Sequence, residues 1–115
     1  MPNKIDSQML KGVLTGSILL LLSEEELYGY RLNERLASFG FGDISKGTIY
    51  PLLLSLEKKK FIEGHMRASE NGPKRKYYSI TPEGKAEKES FLQQWSDLKN
   101  NMERIIEGVE GNGKN

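Results

Sequence analysis

The stretch that decides the fold runs from Ser45 to Ile80. It reads Ser45-Lys-Gly-Thr-Ile-Tyr-Pro-Leu-Leu-Leu-Ser-Leu-Glu-Lys-Lys59, then Ile62-Glu-Gly-His-Met-Arg-Ala68, a break at Ser69-Glu-Asn-Gly-Pro73, and Lys74-Arg-Lys-Tyr-Tyr-Ser-Ile80. In the first segment Ile49, Leu52, Leu53 and Leu56 recur at helical spacing, and Ser45 stands where an N-cap belongs. Pro51 lies past the first turn and removes one backbone hydrogen bond, so that turn is expected to be distorted. The period then drops from 3.6 to 2. Ile62, Met66 and Ala68 alternate with Glu63, His65 and Arg67, and Lys76, Tyr78 and Ile80 alternate with Arg75, Tyr77 and Ser79. Two half-buried strands joined across Asn-Gly-Pro make a β-hairpin. Of Tyr77 and Tyr78, one faces the core and the other faces the preceding helix.

Working outward, two more helices precede this unit. Met9, Leu10, Val13, Leu14, Ser17, Ile18 and Leu21 share one face of a helix over about 6–22, widened by Leu19, Leu20 and Leu22. Ser23 and three glutamates follow, placed well ahead of the next helix's positive end. A second helix spans about 28–38, with Leu32 and Leu36 inward and Arg31, Asn33, Glu34 and Arg35 outward, until Phe39-Gly-Phe-Gly42 breaks it. Beyond the hairpin, Thr81-Pro82 caps a last helix over about 82–108. Its apolar residues Phe91, Trp95, Leu98, Met102, Ile105 and Val109 step by four and three in an unbroken heptad spacing. Gly108 to Asn115 reads as a frayed tail.

Composition narrows the chemistry. The chain has 115 residues, no cysteine and a single histidine, His65, which excludes disulfides, thiolate zinc and His-rich metal sites. The longest strongly apolar run, Ile18 to Leu22, is far short of the roughly 20 residues of a membrane span, and the first residues lack signal-peptide order. A soluble, reduced, cytoplasmic protein is the expectation. No carboxylate pair sits in an apolar setting, Ser23 and Ser45 lack a base, and Gly40 and Gly42 do not open a phosphate loop. No catalytic residue, metal site or cofactor is expected.

The net charge is only +1, but it is unevenly placed. Residues 1–45 hold four basic and six acidic groups, residues 46–76 eight basic and three acidic, and residues 77–115 five basic and seven acidic. The basic middle covers the third helix and the hairpin. Three helices followed by a hairpin is the element order of a winged helix–turn–helix, where the third helix would enter the major groove of DNA and the hairpin would be the wing. The expected fold class is therefore mainly α with a small β-hairpin: a winged helix–turn–helix domain over 1–81, a dimerisation helix over 82–109 and a disordered tail over 110–115.

Four stretches, Tyr28-Gly-Tyr-Arg-Leu32, Ser45-Lys-Gly-Thr-Ile-Tyr-Pro51, Leu56-Glu-Lys-Lys-Lys-Phe-Ile62 and Gly72-Pro-Lys-Arg-Lys-Tyr-Tyr-Ser-Ile-Thr-Pro-Glu-Gly84, resemble the PadR family of bacterial transcriptional regulators in its short form, with one C-terminal helix. The resemblance covers about 9–109. It implies a dimeric repressor that binds a double-stranded DNA operator and is relieved by a small molecule.

On this reading Ser45, Lys46, Gly47 and Thr48 form a donor-rich helix N-terminus for phosphate or base edges. Tyr28 and Tyr50 would reach phosphates, and Lys74, Arg75 and Lys76 would hold them from the wing. Lys58, Lys59 and Lys60 instead offset a helix dipole, and His65 is a surface residue. Phe91, Trp95, Leu98, Met102, Ile105 and Val109 are the dimerisation seam, because an exposed stripe of that length is a large apolar patch. The resemblance also places a tryptophan at an apolar site on the dimer axis. Trp95, with Leu92 and Lys99 one turn to either side, is the candidate effector site. The rival reading is a dimeric winged-helix protein-interaction module without sequence-specific DNA binding.

Overall fold

A computed structural model of the chain describes residues 5–69 and 71–113. Its elements are α1 (Ser7–Leu22), β1 (Leu27–Tyr28), α2 (Gly29–Leu36), α3 (Lys46–Lys58), β2 (Ile62–Ser69), β3 (Gly72–Ile80) and α4 (Pro82–Gly113). Asp6 caps α1, its carboxylate accepting from the Gln8 N–H at 2.8 Å. The three short helices close around Leu14, Ile18, Leu19, Leu32, Leu36, Ile49, Leu53, Leu56 and Ile62, all essentially without solvent exposure. The sheet is three-stranded and antiparallel in the order β1-β3-β2. Leu27 pairs with Tyr78 and Tyr28 with Tyr77, while Ile62 pairs with Ile80 and His65 with Tyr77. A mainly helical chain with a small sheet and a long final helix is thus the fold that the sequence implied.

The differences are local and each has a cause. Residue 28 belongs to strand β1 rather than to the second helix, because the backbone of 27–28 is taken by the inner edge of the wing. α2 ends in a single wide turn of π-type hydrogen bonding over Ala37–Phe41. Gly40 at φ 103° and Gly42 at φ 78° then turn the chain into α3, a conformation that side-chain-bearing residues seldom adopt. Asn33 and Arg35 were expected to face outward, but both are half-buried. The Asn33 amide donates to the Ile44 carbonyl at 2.8 Å and its oxygen accepts from the Ile44 N–H at 3.4 Å, which fixes the turn between α2 and α3. Arg35 pairs with Glu25 at 2.7 Å and Glu24 at 3.7 Å, so two of the glutamates hold the end of α2 instead of its start.

Ser45 is extended ahead of α3, but its hydroxyl meets the Thr48 hydroxyl at 3.1 Å and caps no backbone group. The Thr48 and Ile49 amides both donate to the Ser45 carbonyl, at 3.0 and 3.1 Å, which tightens the first turn ahead of Pro51. The helix then runs unbroken through the proline. Only the root of β2 is buried: Met66 is 60% exposed and Ala68 is open to solvent, because the hairpin's outer half projects from the domain and, among the described residues, no core layer packs over the face that carries them.

Thr81 does cap α4. Its buried hydroxyl accepts from the Gly84 N–H at 2.9 Å and donates to the Lys60 carbonyl at 2.7 Å. A Cβ at Gly84 would overlap the Phe61 carbonyl and lie 2.8 Å from Ile80 Cγ1, so α4 starts pressed against the loop between α3 and β2. Phe91 lies flat on Gly16 of α1, where any Cβ would overlap the ring. α4 continues past the expected end near 108 to Gly113; residues 114 and 115 lie outside the described residues. At about 1.5 Å per residue its 32 residues span ~48 Å, which accounts for Cα extents of 63 × 35 × 21 Å.

Candidate nucleic-acid interface

α3 is held by its buried stripe Ile49, Leu53 and Leu56. At about 100° per residue the opposite side carries Gly47, Pro51, Leu54 and Lys58, all of them exposed. Each flank of that side meets a different element. On one flank Thr48, Leu52 and Ser55 face Gln8 and Lys11 of α1 across a cleft of about 720 Å³. On the other flank Tyr50 faces β1 and the wing across a cleft of about 530 Å³ shared with Tyr28, Tyr30, Arg75 and Tyr78. Gly29 makes this second approach possible, since a Cβ there would lie 2.8 Å from the Tyr50 ring and hydroxyl.

The wing is tied to the domain by stacked side chains. The Arg67 guanidinium lies 3.8 Å from the centre of the Tyr77 ring. Tyr77 packs edge-on to Tyr28 at 5.2 Å, and the Arg75 guanidinium lies 4.4 Å from the centre of Tyr28. Glu26 closes the outer side, accepting from Arg67 at 3.4 Å and meeting His65 Nε2 at 2.8 Å. Tyr77 therefore packs on β1, and it is Tyr78, the core tyrosine, that faces the recognition side. Burial pushes the Tyr78 hydroxyl's pKa up, so it stays neutral.

Of the residues singled out in the sequence for DNA, one set adjoins at the start of α3 and another lines the wing cleft. Ser45, Lys46 and Gly47 are exposed at the start of α3, Thr48 is half-buried beside them, and Tyr50, Tyr28 and Arg75 share one cleft. Lys74 is exposed at the base of the wing turn. Lys76 lines the same cleft, but it is ion-paired within the chain. Its ammonium donates to Glu57 of α3 at 2.9 Å and lies 5.5 Å from the centre of the Tyr78 ring. The Glu57 hydrogen bond holds the Lys76 pKa above the usual lysine value. The pair locks the wing to α3, and the charge of Lys76 is already answered. Lys59 ends α3 and Lys60 takes a left-handed conformation at φ 65°, turning the chain into β2.

The sequence reading assigned no role to Tyr30, which is 63% exposed in the wing cleft, nor to three further residues that the structure brings to this surface. Lys11 and Gln8 belong to a helix read for its apolar face, and Leu54 was hidden in a run of three leucines. Helical phase alone separates Leu54 from its neighbours: Leu53 is fully buried and Leu54 is 55% exposed.

Away from this surface, Leu92, Trp95, Leu98, Met102, Ile105, Ile106 and Val109 are exposed along α4, and Lys99 is exposed among them. Phe91 is half-buried against α1, so the stripe divides into one residue seated within the chain and a remainder that is exposed among the described residues. Among the described residues no group of histidines and carboxylates is arranged to hold a metal, and no helix is long and apolar enough to cross a membrane.

Comparison with known proteins agrees with this architecture. A solved structure of a PadR-like transcriptional regulator from Bacillus cereus is 49% identical and superposes with a TM-score of 0.77, covering 86% of this chain and 96% of that one. A Streptococcus transcriptional regulator is 48% identical with a TM-score of 0.79, covering 88% and 99%. An uncharacterized protein of Lysinibacillus sphaericus is 32% identical over 108 residues, 92% of this chain and 99% of its own length. The Transcriptional regulator PadR-like family matches residues 18–90, from the middle of α1 to the residue before Phe91. With α3 displayed between α1 and the wing, and the basic middle of the sequence spread over α3 and that wing, the chain is a DNA-binding transcriptional regulator and belongs to the PadR-like family.

Proposed function

We propose that the chain works as a homodimeric repressor that holds operator DNA with α3 in the major groove. The observation that carries this reading is the exposure of α3 between two flanking elements, with cations on each side. A groove-bound helix has a phosphate strand on either side of it. Here Lys74 and Arg75 of the wing would meet one strand and Lys11 of α1 the other. Ser45, Lys46, Gly47 and Thr48 would meet base edges or the nearest phosphate with the amides and side chains of the helix N-terminus. Tyr28 and Tyr50 would turn their hydroxyls to the backbone from the shared cleft. Lys76 has a structural part, holding the wing at its angle to α3.

Dimerisation follows from α4. The uncovered stripe from Leu92 to Val109 runs over about 25 Å of helix, and soluble chains rarely leave a patch of that extent open. A second copy supplies the same stripe in return, and a two-fold axis would present two α3 helices to half-sites about 10 base pairs apart. Within that interface Trp95, Leu92 and Lys99 form the candidate site for a planar apolar effector, which would relieve repression by favouring a dimer geometry that fits DNA less well.

The test is binding to the DNA upstream of the chain's own gene against scrambled DNA of equal length, at two salt concentrations. Selective binding that weakens steeply with salt is the expected result. Equal binding to both duplexes would refute operator recognition at that site. Sedimentation of the same samples gives the oligomeric state, and a monomer at micromolar concentration would refute the α4 reading.

A further inference from the structure

The groove-facing side of α3 is not polar throughout. Its N-terminal end carries donors and its last turn carries Lys58, but between them Pro51 and Leu54 face directly away from the buried stripe, with Tyr50 beside them. Leu54 is 55% exposed and Tyr50 45%. This apolar strip is not continuous with the α4 stripe, since it lies on α3 between the α1 cleft and the wing cleft. Nor is it an overflow of the core, since Leu53 and Leu56 on either side of Leu54 are fully buried. The strip is ringed by charge, with Lys46 and Lys58 toward its ends and Lys11 and Arg75 across the flanking clefts. An apolar protein partner would have to desolvate that ring, whereas a duplex would satisfy it.

In the major groove the apolar group that a base pair presents is the thymine C5-methyl. We propose that Leu54 is a specificity-determining residue, packing on a thymine methyl in each half-site, with Pro51 closing the contact from the adjacent turn. The inference rests on the reading that α3 enters the major groove and assigns one of its base contacts. It makes the chain's preference depend partly on a methyl group, in addition to the hydrogen bonds available to Ser45, Lys46 and Thr48.

The experiment starts from full-length protein and a random-sequence duplex library, from which the preferred duplex is selected. Each thymine of that duplex is then replaced in turn by deoxyuridine, which lacks only the methyl. Affinity is measured for the wild type and for Leu54→Ala, whose fold is checked by melting and which removes an exposed side chain only. The expected result is one thymine per half-site at which losing the methyl weakens wild-type binding about fourfold, with Leu54→Ala insensitive to the same replacement. A preferred duplex that tolerates deoxyuridine everywhere, or that responds equally in both proteins, overturns the Leu54 contact and leaves groove binding standing. If selection returns no preferred duplex, groove reading and the Leu54 contact fall together.

Discussion

Gly16→Ala offers a test of how α4 is attached, because its sign is unusual. Within a helix, replacing glycine by alanine is worth about 1 kcal/mol in favour of the folded state. Gly16 lies in the middle of α1, is buried, and carries the ring of Phe91 directly on its backbone. An added methyl would overlap Cδ1, Cδ2 and Cε1 of that ring. Inserting a methyl into a filled site costs about 1–3 kcal/mol, so the overlap should cancel or exceed the propensity gain and leave a net loss of up to ~2 kcal/mol. In a Phe91→Leu background the seat is emptier, and Gly16→Ala should turn neutral or stabilising. The two changes should therefore couple by roughly 1–3 kcal/mol. The assay is urea unfolding of the wild type, both single variants and the double variant at one fixed protomer concentration, since the apparent stability of the proposed dimer would depend on it. If Gly16→Ala stabilises the wild type by the ordinary helical amount, the Phe91 seat does not hold α4 to α1.

Lys46→Ala and Arg75→Ala should each weaken DNA binding and flatten its salt dependence, by about 0.9 in log–log slope for every phosphate contact removed, as read from titrations at several salt concentrations. Glu57→Gln should do the reverse: it releases the Lys76 ammonium, so DNA binding becomes more salt-dependent. The same pair has a pH signature. Because Lys76 is held above its ordinary pKa in the fold, chiefly by the Glu57 hydrogen bond, its contribution to stability is complete below the ordinary lysine value and is lost as pH rises through the raised one. The melting difference between wild type and Glu57→Gln should shrink over that alkaline range. Thr81→Ala removes the α4 cap and orphans the Lys60 carbonyl. It should cost about 2–3 kcal/mol in urea unfolding, most of it restored by serine.

The helices and hairpin were legible because their periods are long enough to count. β1 was not, because two residues cannot show an alternation; Leu27 and Tyr28 become a strand only when β3 arrives beside them. Met66 and Ala68 misled for the opposite reason, since the alternation is real but the outer hairpin has no second layer to bury it. Gly108, Gly111 and Gly113 suggested an early end to α4 because glycine is a poor helix former, yet the helix continues through all three. The candidate site was legible where charge and motif coincide, at Lys46 and along Lys74 to Lys76. Which of those cations is answered internally was not, because the partner, Glu57, lies 19 residues away and becomes a neighbour only when β3 folds back on α3.

That internal pairing bears on how a signal at α4 would reach DNA in the proposed dimer. Trp95 lies one turn beyond Phe91, and Phe91 is seated on α1 with no side chain between ring and backbone. α1 in turn lies against α3 across the Lys11 cleft. The other end of α4 begins at Thr81, hydrogen-bonded to the residue that turns α3 into β2, and β3 is tied to α3 through Lys76 and Glu57. A change in the angle between paired α4 helices at Trp95 would therefore be passed to α3 through contacts at both ends of this path. Packed interiors shift as bodies rather than deforming, so the separation of the two α3 helices would change instead. An effector between the Trp95 side chains need only prefer one crossing angle over another to alter DNA affinity, by as much as its own affinity differs between the two. Loosening the Phe91 seat should then reduce the effector's influence on DNA without reducing its binding, which separates transmission through α1 from direct competition for the DNA surface.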